Sequence, residues 1–215
     1  MNRTQFFEWL PQLLQGLEVT VGASILCIIL AVLWGCLAAS IISLRLPGLT
    51  QILCAYTSIF RNTPLLVVMF FFFYGLPYVG IKLSAITCGI LSITLNEGAF
   101  VAEIIRGSIK SIPKGEIEAA YSIGLNRLQV AGYVTIPLAI KASIPMITGQ
   151  ASIVIKDTSL FSTIMILDLT RAGDQFYSRY LNITAIWIIA TIYIALFLVF
   201  STIGRIIEHR VKVYR

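Results

Sequence analysis

Val19 to Leu44 is a run of 26 residues without a charge, and that length restricts the environments in which the chain can fold. A helix rises about 1.5 Å per residue, so about 20 apolar residues already cross a hydrocarbon layer of roughly 30 Å. Ile183 to Ile203 is a second uncharged run, of 21 residues. With 58% hydrophobic and only 12% charged residues among 215, there are too few charges to cover a water-facing surface. Mean hydropathy of +0.89 agrees. These features predict an all-α integral membrane protein, because lipid requires each span to satisfy its own backbone hydrogen bonds.

Five spans are predicted, at 19–44, 65–81, 84–105, 139–167 and 183–203, within a single transmembrane unit covering residues 1–215. Ahead of the first, Phe6, Phe7, Trp9, Leu10, Leu13 and Leu14 recur at helical spacing and predict an interfacial helix over Met1 to Gln15, with Trp9 at headgroup level. One arginine and an overlong apolar run do not resemble a cleaved signal peptide. Gly35 and Ala39 form a small-xxx-small pair that would admit another helix, a pattern common enough to be incidental. Arg45, Pro47 and Gly48 break the helix.

Leu46 to Ile81 is interrupted by Arg61-Asn62-Thr63-Pro64. Leu46 to Phe60 would reach only about 22 Å as a helix, so one crossing from Leu65 is favoured, preceded by a helical segment at the inner face. Pro64 then sits in a first helical turn, where its missing N–H costs nothing. A six-span arrangement places the basic residues almost as well, and only span length weighs against it.

Basic residues set the orientation. With the C-terminus in the cytoplasm, Arg45, Arg61, Arg106, Lys110, Lys114, Arg127, Lys141, Arg205, Arg210, Lys212 and Arg215 lie inside, eleven in all, against Arg3, Lys82, Arg171 and Arg179 outside. Lys156 stays in the membrane. The N-terminus is therefore expected outside.

Pro113 to Pro137 is the one long polar stretch between apolar ones. Pro113 can start a helix, Glu116 and Glu118 favour its N-terminal dipole, and Gly124 can end it. Leu125 to Val134 then predict a second short helix closed by Pro137. Such a helical hairpin at the inner surface presents small residues beside a carboxylate and suits insertion into a cleft of another protein.

Ionisable groups within a span cost about 2.5 to 3.5 kcal/mol each and need a bundle interior, a partner or water. Glu97, Lys156 and Asp157 are therefore the candidate substrate pocket, with Asn96, Gln150, Thr158 and Ser159 beside them. Two readings stay open: contact with a zwitterionic solute, Lys156 meeting its carboxylate and Asp157 with Glu97 its ammonium, or mutual neutralisation. The acidic excess favours neutral or cationic solutes. Arg61, Glu103 and Arg106 form a possible gate or partner contact, the last two also fitting a structural i,i+3 pair.

Other chemistry finds little support. No G-x-x-x-x-G-K-[ST] is present, so the chain has no P-loop with which to bind ATP. The lone His209 excludes His-pair metal sites and His-based triads. A Ser159–Lys156 dyad would suit an intramembrane hydrolase, but nothing else supports it; an enzyme or stand-alone channel is the alternative class. Cys27, Cys36, Cys54 and Cys88 lack metal or disulfide spacing and read as packing residues. Nucleic acid is not implied, because the basic residues follow the spans.

Several motifs carry a resemblance. Glu118-Ala119-Ala120, Gly124 and Val134-Thr135-Ile136-Pro137 resemble the EAA signature of the membrane-spanning subunits of bacterial ABC importers. Arg61 to Leu66, Asn96 to Gly107, Lys156 to Ser159 and Leu169 to Gly173 are similar to RGTPLL, NxxAYxAEIxRG, KDTS and LTRAG of the polar amino acid branch. Departures are Asn62 for Gly, Phe100 for Tyr, Glu97 at a position often small, and Val134 and Ile136 in the signature's ending. The resemblance implies a permease half of the type I importer fold in the bacterial inner membrane, with no cofactor of its own. It would pair with an identical or similar half and dock two cytoplasmic ATPase subunits carrying ATP and Mg. A solute-binding protein would deliver an amino acid from outside. Glu118, Ala119, Ala120, Gly124 and Pro137 are carried over as the ATPase-coupling residues.

Overall fold

The structure, a computed structural model, describes residues 3–44 and 46–211. Arg45, Lys212 and Arg215, counted above among the cytoplasmic charges, and Met1 and Asn2 of the stretch expected to form an interfacial helix lie outside the described residues. Among the described residues every regular element is helical.

Helix α1 runs unbroken from Arg3 to Leu44. The interfacial helix and first span expected as separate pieces are therefore one rod of about 63 Å, roughly twice a hydrocarbon layer. Pro11 does not interrupt it. α2 (Leu49–Asn62) and α3 (Leu65–Phe70) follow, the latter continuing as a π-turn at Phe71–Gly75 and a 3₁₀ turn at Leu76–Val79. The chain bends by 109° between Asn62 and Leu65, because Pro64 forces Thr63 into extended backbone. α4 (Ala85–Ser111) begins at Ser84, whose side chain accepts the Thr87 N–H, and ends just before Pro113.

α5 (Lys114–Ser122) and α6 (Arg127–Val130) form the hairpin. Pro137 does not close its second helix. The chain passes through a π-turn at Ala131–Thr135 directly into α7 (Ile136–Asp157). The wider turn relieves the clash that a proline ring makes with the carbonyl four residues back. α7 gives way at Thr158–Ile164 to a 3₁₀ helix, so the predicted fourth span is not one regular helix to Leu167. α8 (Leu169–Tyr180) and α9 (Thr184–Arg210) complete the chain.

Among the described residues four helices are long and apolar enough to cross a membrane, and the bent pair α2–α3 makes five if it counts as one. Three buried clusters string along α1. Trp9 and Leu13 pack on Leu169, Phe176 and Ala185; Ala23 and Cys27 pack with Met69, Ile93 and Phe161; Ala38, Ala39 and Ile42 pack with Leu53, Val101, Ile105 and Ala139. Gly35 belongs to this seam: a Cβ there would stand 2.6 Å from the Val101 side chain and 2.9 Å from the Gly98 carbonyl. The Gly35/Ala39 pair thus sets how closely α1 approaches α4, and is not incidental.

At the N-terminal end of α1, the Trp9 indole donates to the Ala172 carbonyl at 2.9 Å. Asp168 is fully buried there and caps α8, accepting the Thr170 and Arg171 amides and the Tyr193 hydroxyl. Burial pushes its carboxyl above the usual carboxylate range, while those amides pull it the other way. All four cysteines are free, Cys27 and Cys88 in the core, as packing residues would be.

Candidate functional site

The sequence candidates separate into three places. The first is the interior between α1, α4 and α7. Glu97 is 3% exposed and accepts the Gln150 side-chain amide at 2.7 Å. Ile28, Ala31, Val101 and Val154 close around the pair and leave almost no free volume. Asp157 is half-buried close by.

Lys156 does not join them. Successive helical side chains point about 100° apart, and among the described residues no ion pair links Lys156 to either carboxylate. Its exposed ammonium stands 4.9 Å from the centre of the Phe197 ring on α9. Met146, Gly149, Ile153 and Lys156 are exposed at spacings of three and four, so they make one open stripe along α7.

Asn96 serves a different contact. It is 4% exposed, and its amide donates to the Phe60 carbonyl at 2.7 Å, one of the four carbonyls a helix end leaves unpaired. Tyr56 donates likewise to the Leu95 carbonyl at 2.6 Å, so both tie α2 to α4. Thr158 is fully buried and donates back to the Ile155 carbonyl, while Ser159 is half-buried with its carbonyl accepting from Ser162. Both lie where α7 changes to 3₁₀ geometry, a change that often marks a hinge.

The second place brings Arg61, Glu103 and Arg106 together. Arg106 holds Glu103 through two bonds, of 2.8 and 2.5 Å, one turn along α4. Arg61 approaches Glu103 only to 3.6 Å and lies over the Phe100 ring at 5.5 Å. Arg61 and Glu103 border a groove of about 450 Å³ between α2, α4 and α7. The sequence reading missed Ser108 in this groove, although Glu103, Gly107, Ser108 and Ser111 share one face of α4 by spacing alone.

The third place is the hairpin. Gly124 has φ +87°, which favours glycine, and ends α5. Its N–H donates to the Tyr121 carbonyl and that of Leu125 to the Ala120 carbonyl, the Schellman closure. Asn126 and Gln129 then bond reciprocally at 3.0 and 2.9 Å to start α6. Ala120 is buried beneath the turn, whereas Glu118 and Ala119 are exposed beside Tyr121, Ile123 and Leu128.

Among the described residues, an all-helical unit with several apolar spans, an ion-paired groove and an exposed helical hairpin defines an integral membrane domain. Residues 11–213 match the family of binding-protein-dependent transport system inner membrane components, and the chain belongs to that family. The glutamine transport system permease protein of Escherichia coli (strain K12) is 32% identical over 216 residues, covering 96% of this chain and 99% of that protein. The L-cystine transport system permease protein of Bacillus subtilis (strain 168) is 34% identical over 206 residues, covering 95% and 88%. A crystal structure of an amino acid ABC transporter with histidines superposes with a TM-score of 0.88 at 30% identity, covering 98% of this chain and 99% of that one. An inward-facing MetNI methionine ABC transporter shares the fold, with a TM-score of 0.79, 19% identity and coverage of 99% and 100%. The chain is thus a multi-pass permease subunit of an ABC importer, and not an enzyme.

Proposed function

We propose that this chain is the permease half of an ATP-driven importer for a polar L-amino acid. The relatives named for glutamine and L-cystine support that substrate class. Its N-terminus is outside and its C-terminus in the cytoplasm. Arg61, Arg106, Lys110, Lys114, Arg127 and Lys141 fall on or near the hairpin end of the bundle, in keeping with cytoplasmic loops that are rich in Lys and Arg.

The exposed, doubly capped hairpin at 113–137 carries the coupling reading. Glu118 and Ala119 meet a cytoplasmic ATPase, which holds ATP and Mg, while Ala120 and Gly124 fix the shape they present. Pro137 stands in the first turn of α7, just after the π-turn that joins it to the hairpin, so movement of the hairpin reaches the Lys156–Ser159 junction along one continuous helical path. Closure of the ATPase pair rocks two permease halves and alternates access to Glu97, Asp157 and Lys156. The open α7 stripe, with a lysine that lipid would penalise, faces the other half or the water-filled path. A binding protein delivers the amino acid from outside.

The test is uptake into proteoliposomes holding the permease halves, their ATPase and the binding protein, competed with a panel of common amino acids. ATP-dependent uptake inhibited by one polar member or a few is expected; uptake that persists without the ATPase contradicts the reading.

A further inference from the structure

The groove on the hairpin side of α4 has room for a small solute, about 450 Å³. Ser108 lies on its wall, 3% exposed, and its hydroxyl has no hydrogen-bond partner. Buried serines elsewhere in these helices donate to a carbonyl three or four residues back, as Ser143 does to Ile140, Ser24 to Thr20 and Ser92 to Cys88. Ser108 makes no such bond, although a buried polar group left unpaired is costly.

Arg61 is similarly under-used. Glu103 is held by the two short bonds from Arg106, which leaves Arg61 a loose 3.6 Å contact and most of its five donors unspent. Arg106 binds Glu103 from outside the groove's lining, so the cluster of two guanidinium groups and one carboxylate carries one net positive charge. Gly107 forms part of the wall, and a Cβ added there would meet no atom within 4 Å. The lining therefore offers unspent donors, an acidic group and open space on one face of α4.

We infer that this groove is a second subsite for the transported solute and reads the headgroup shared by all α-amino acids. The α-carboxylate lies against Arg61 and the Ser108 hydroxyl, and the ammonium lies against Glu103. The inference rests on the importer reading and its orientation, which place the groove on the release side of the Glu97–Asp157 region. Contacts to the headgroup alone make L-glutamine an adequate probe whichever side chain the importer prefers.

The test uses the permease–ATPase complex, without binding protein, in phosphatidylcholine nanodiscs with radiolabelled L-glutamine. Saturable binding is expected, displaced by glycine, weakened about tenfold in Arg61→Gln and about fivefold in Ser108→Ala, the scale of a charged and a neutral hydrogen bond. Gly107→Leu should abolish it by filling the groove. Ser108→Ala removes a hydroxyl that bonds to nothing, so its melting temperature should match wild type and separate ligand loss from misfolding. Binding that is absent, or unchanged in all three variants, overturns the inference. So does displacement by inorganic phosphate, or by phosphatidylglycerol in the disc, as effective as that by glycine, which marks a bare anion or lipid site. ATP-driven amino acid uptake by the same complex with its binding protein keeps the two levels apart: uptake with unaltered binding in the variants defeats the subsite alone, and no uptake of any amino acid defeats the importer reading.

Discussion

Gln150 on α7 donates its side-chain amide to Glu97 on α4 at 2.7 Å, inside the seam with α1 where Glu97 is 3% exposed. The bond joins two spans that a transport cycle must keep in register. Gln150→Leu leaves Glu97 buried without its donor and should destabilise the chain by about 1 to 3 kcal/mol. Glu97→Gln, which retains an acceptor oxygen, should cost less. Thermal unfolding of the purified subunit in detergent measures both; a Gln150→Leu protein that melts like wild type removes this bond from the account of the fold.

Asn96 should behave as a structural residue. Asn96→Leu leaves the Phe60 carbonyl without its donor, with a cost of about 1 to 3 kcal/mol, and loosens α2 from α4. Melting temperature should fall while the ranking of amino acids in competition assays stays unchanged. A changed ranking at unchanged stability would return Asn96 to the substrate pocket.

Gly35 sets the approach of α1 to α4. Gly35→Val puts side-chain atoms where Val101 and the Gly98 carbonyl already stand, and overpacking of this kind costs about 1 to 3 kcal/mol. Pairing it with Val101→Ala should recover part of the loss. Additive effects in the unfolding measurement would show that the two positions do not touch.

Glu118 is exposed and forms no part of the hairpin's caps. Glu118→Arg should therefore leave the subunit's melting temperature unchanged while reducing binding-protein-stimulated ATP hydrolysis by about tenfold or more, the scale of an interface hot spot. Unchanged stimulation would show that the ATPase docks elsewhere.

Much of this was legible because membrane spans and caps depend on local sequence. Apolar length announced the helices, and Gly124 with the polar run around it announced the hairpin. Arg61, Glu103 and Arg106 could be grouped before the fold was known. What the sequence concealed depends on helical phase and on backbone irregularity. Lys156 turns toward Phe197 rather than Glu97 because it shares the α7 face of Gly149 and Ile153, about 100° round from the face that Gln150 and Asp157 share. Pro137 looked like a terminator because a π-turn that tolerates proline has no sequence signature comparable to a cap. Asn96 looked like a ligand for substrate because its partner, the Phe60 carbonyl, is a backbone group that no side-chain pattern reveals.

The most direct test of the central claim is ATP-dependent uptake of L-glutamine and competing amino acids into proteoliposomes carrying the complete transporter, compared between wild type and Glu118→Arg. The account predicts saturable uptake that requires ATP, the ATPase and the binding protein and that collapses in Glu118→Arg although the complex still binds its binding protein. Uptake that continues without ATP, or at the wild-type rate in Glu118→Arg, would contradict it.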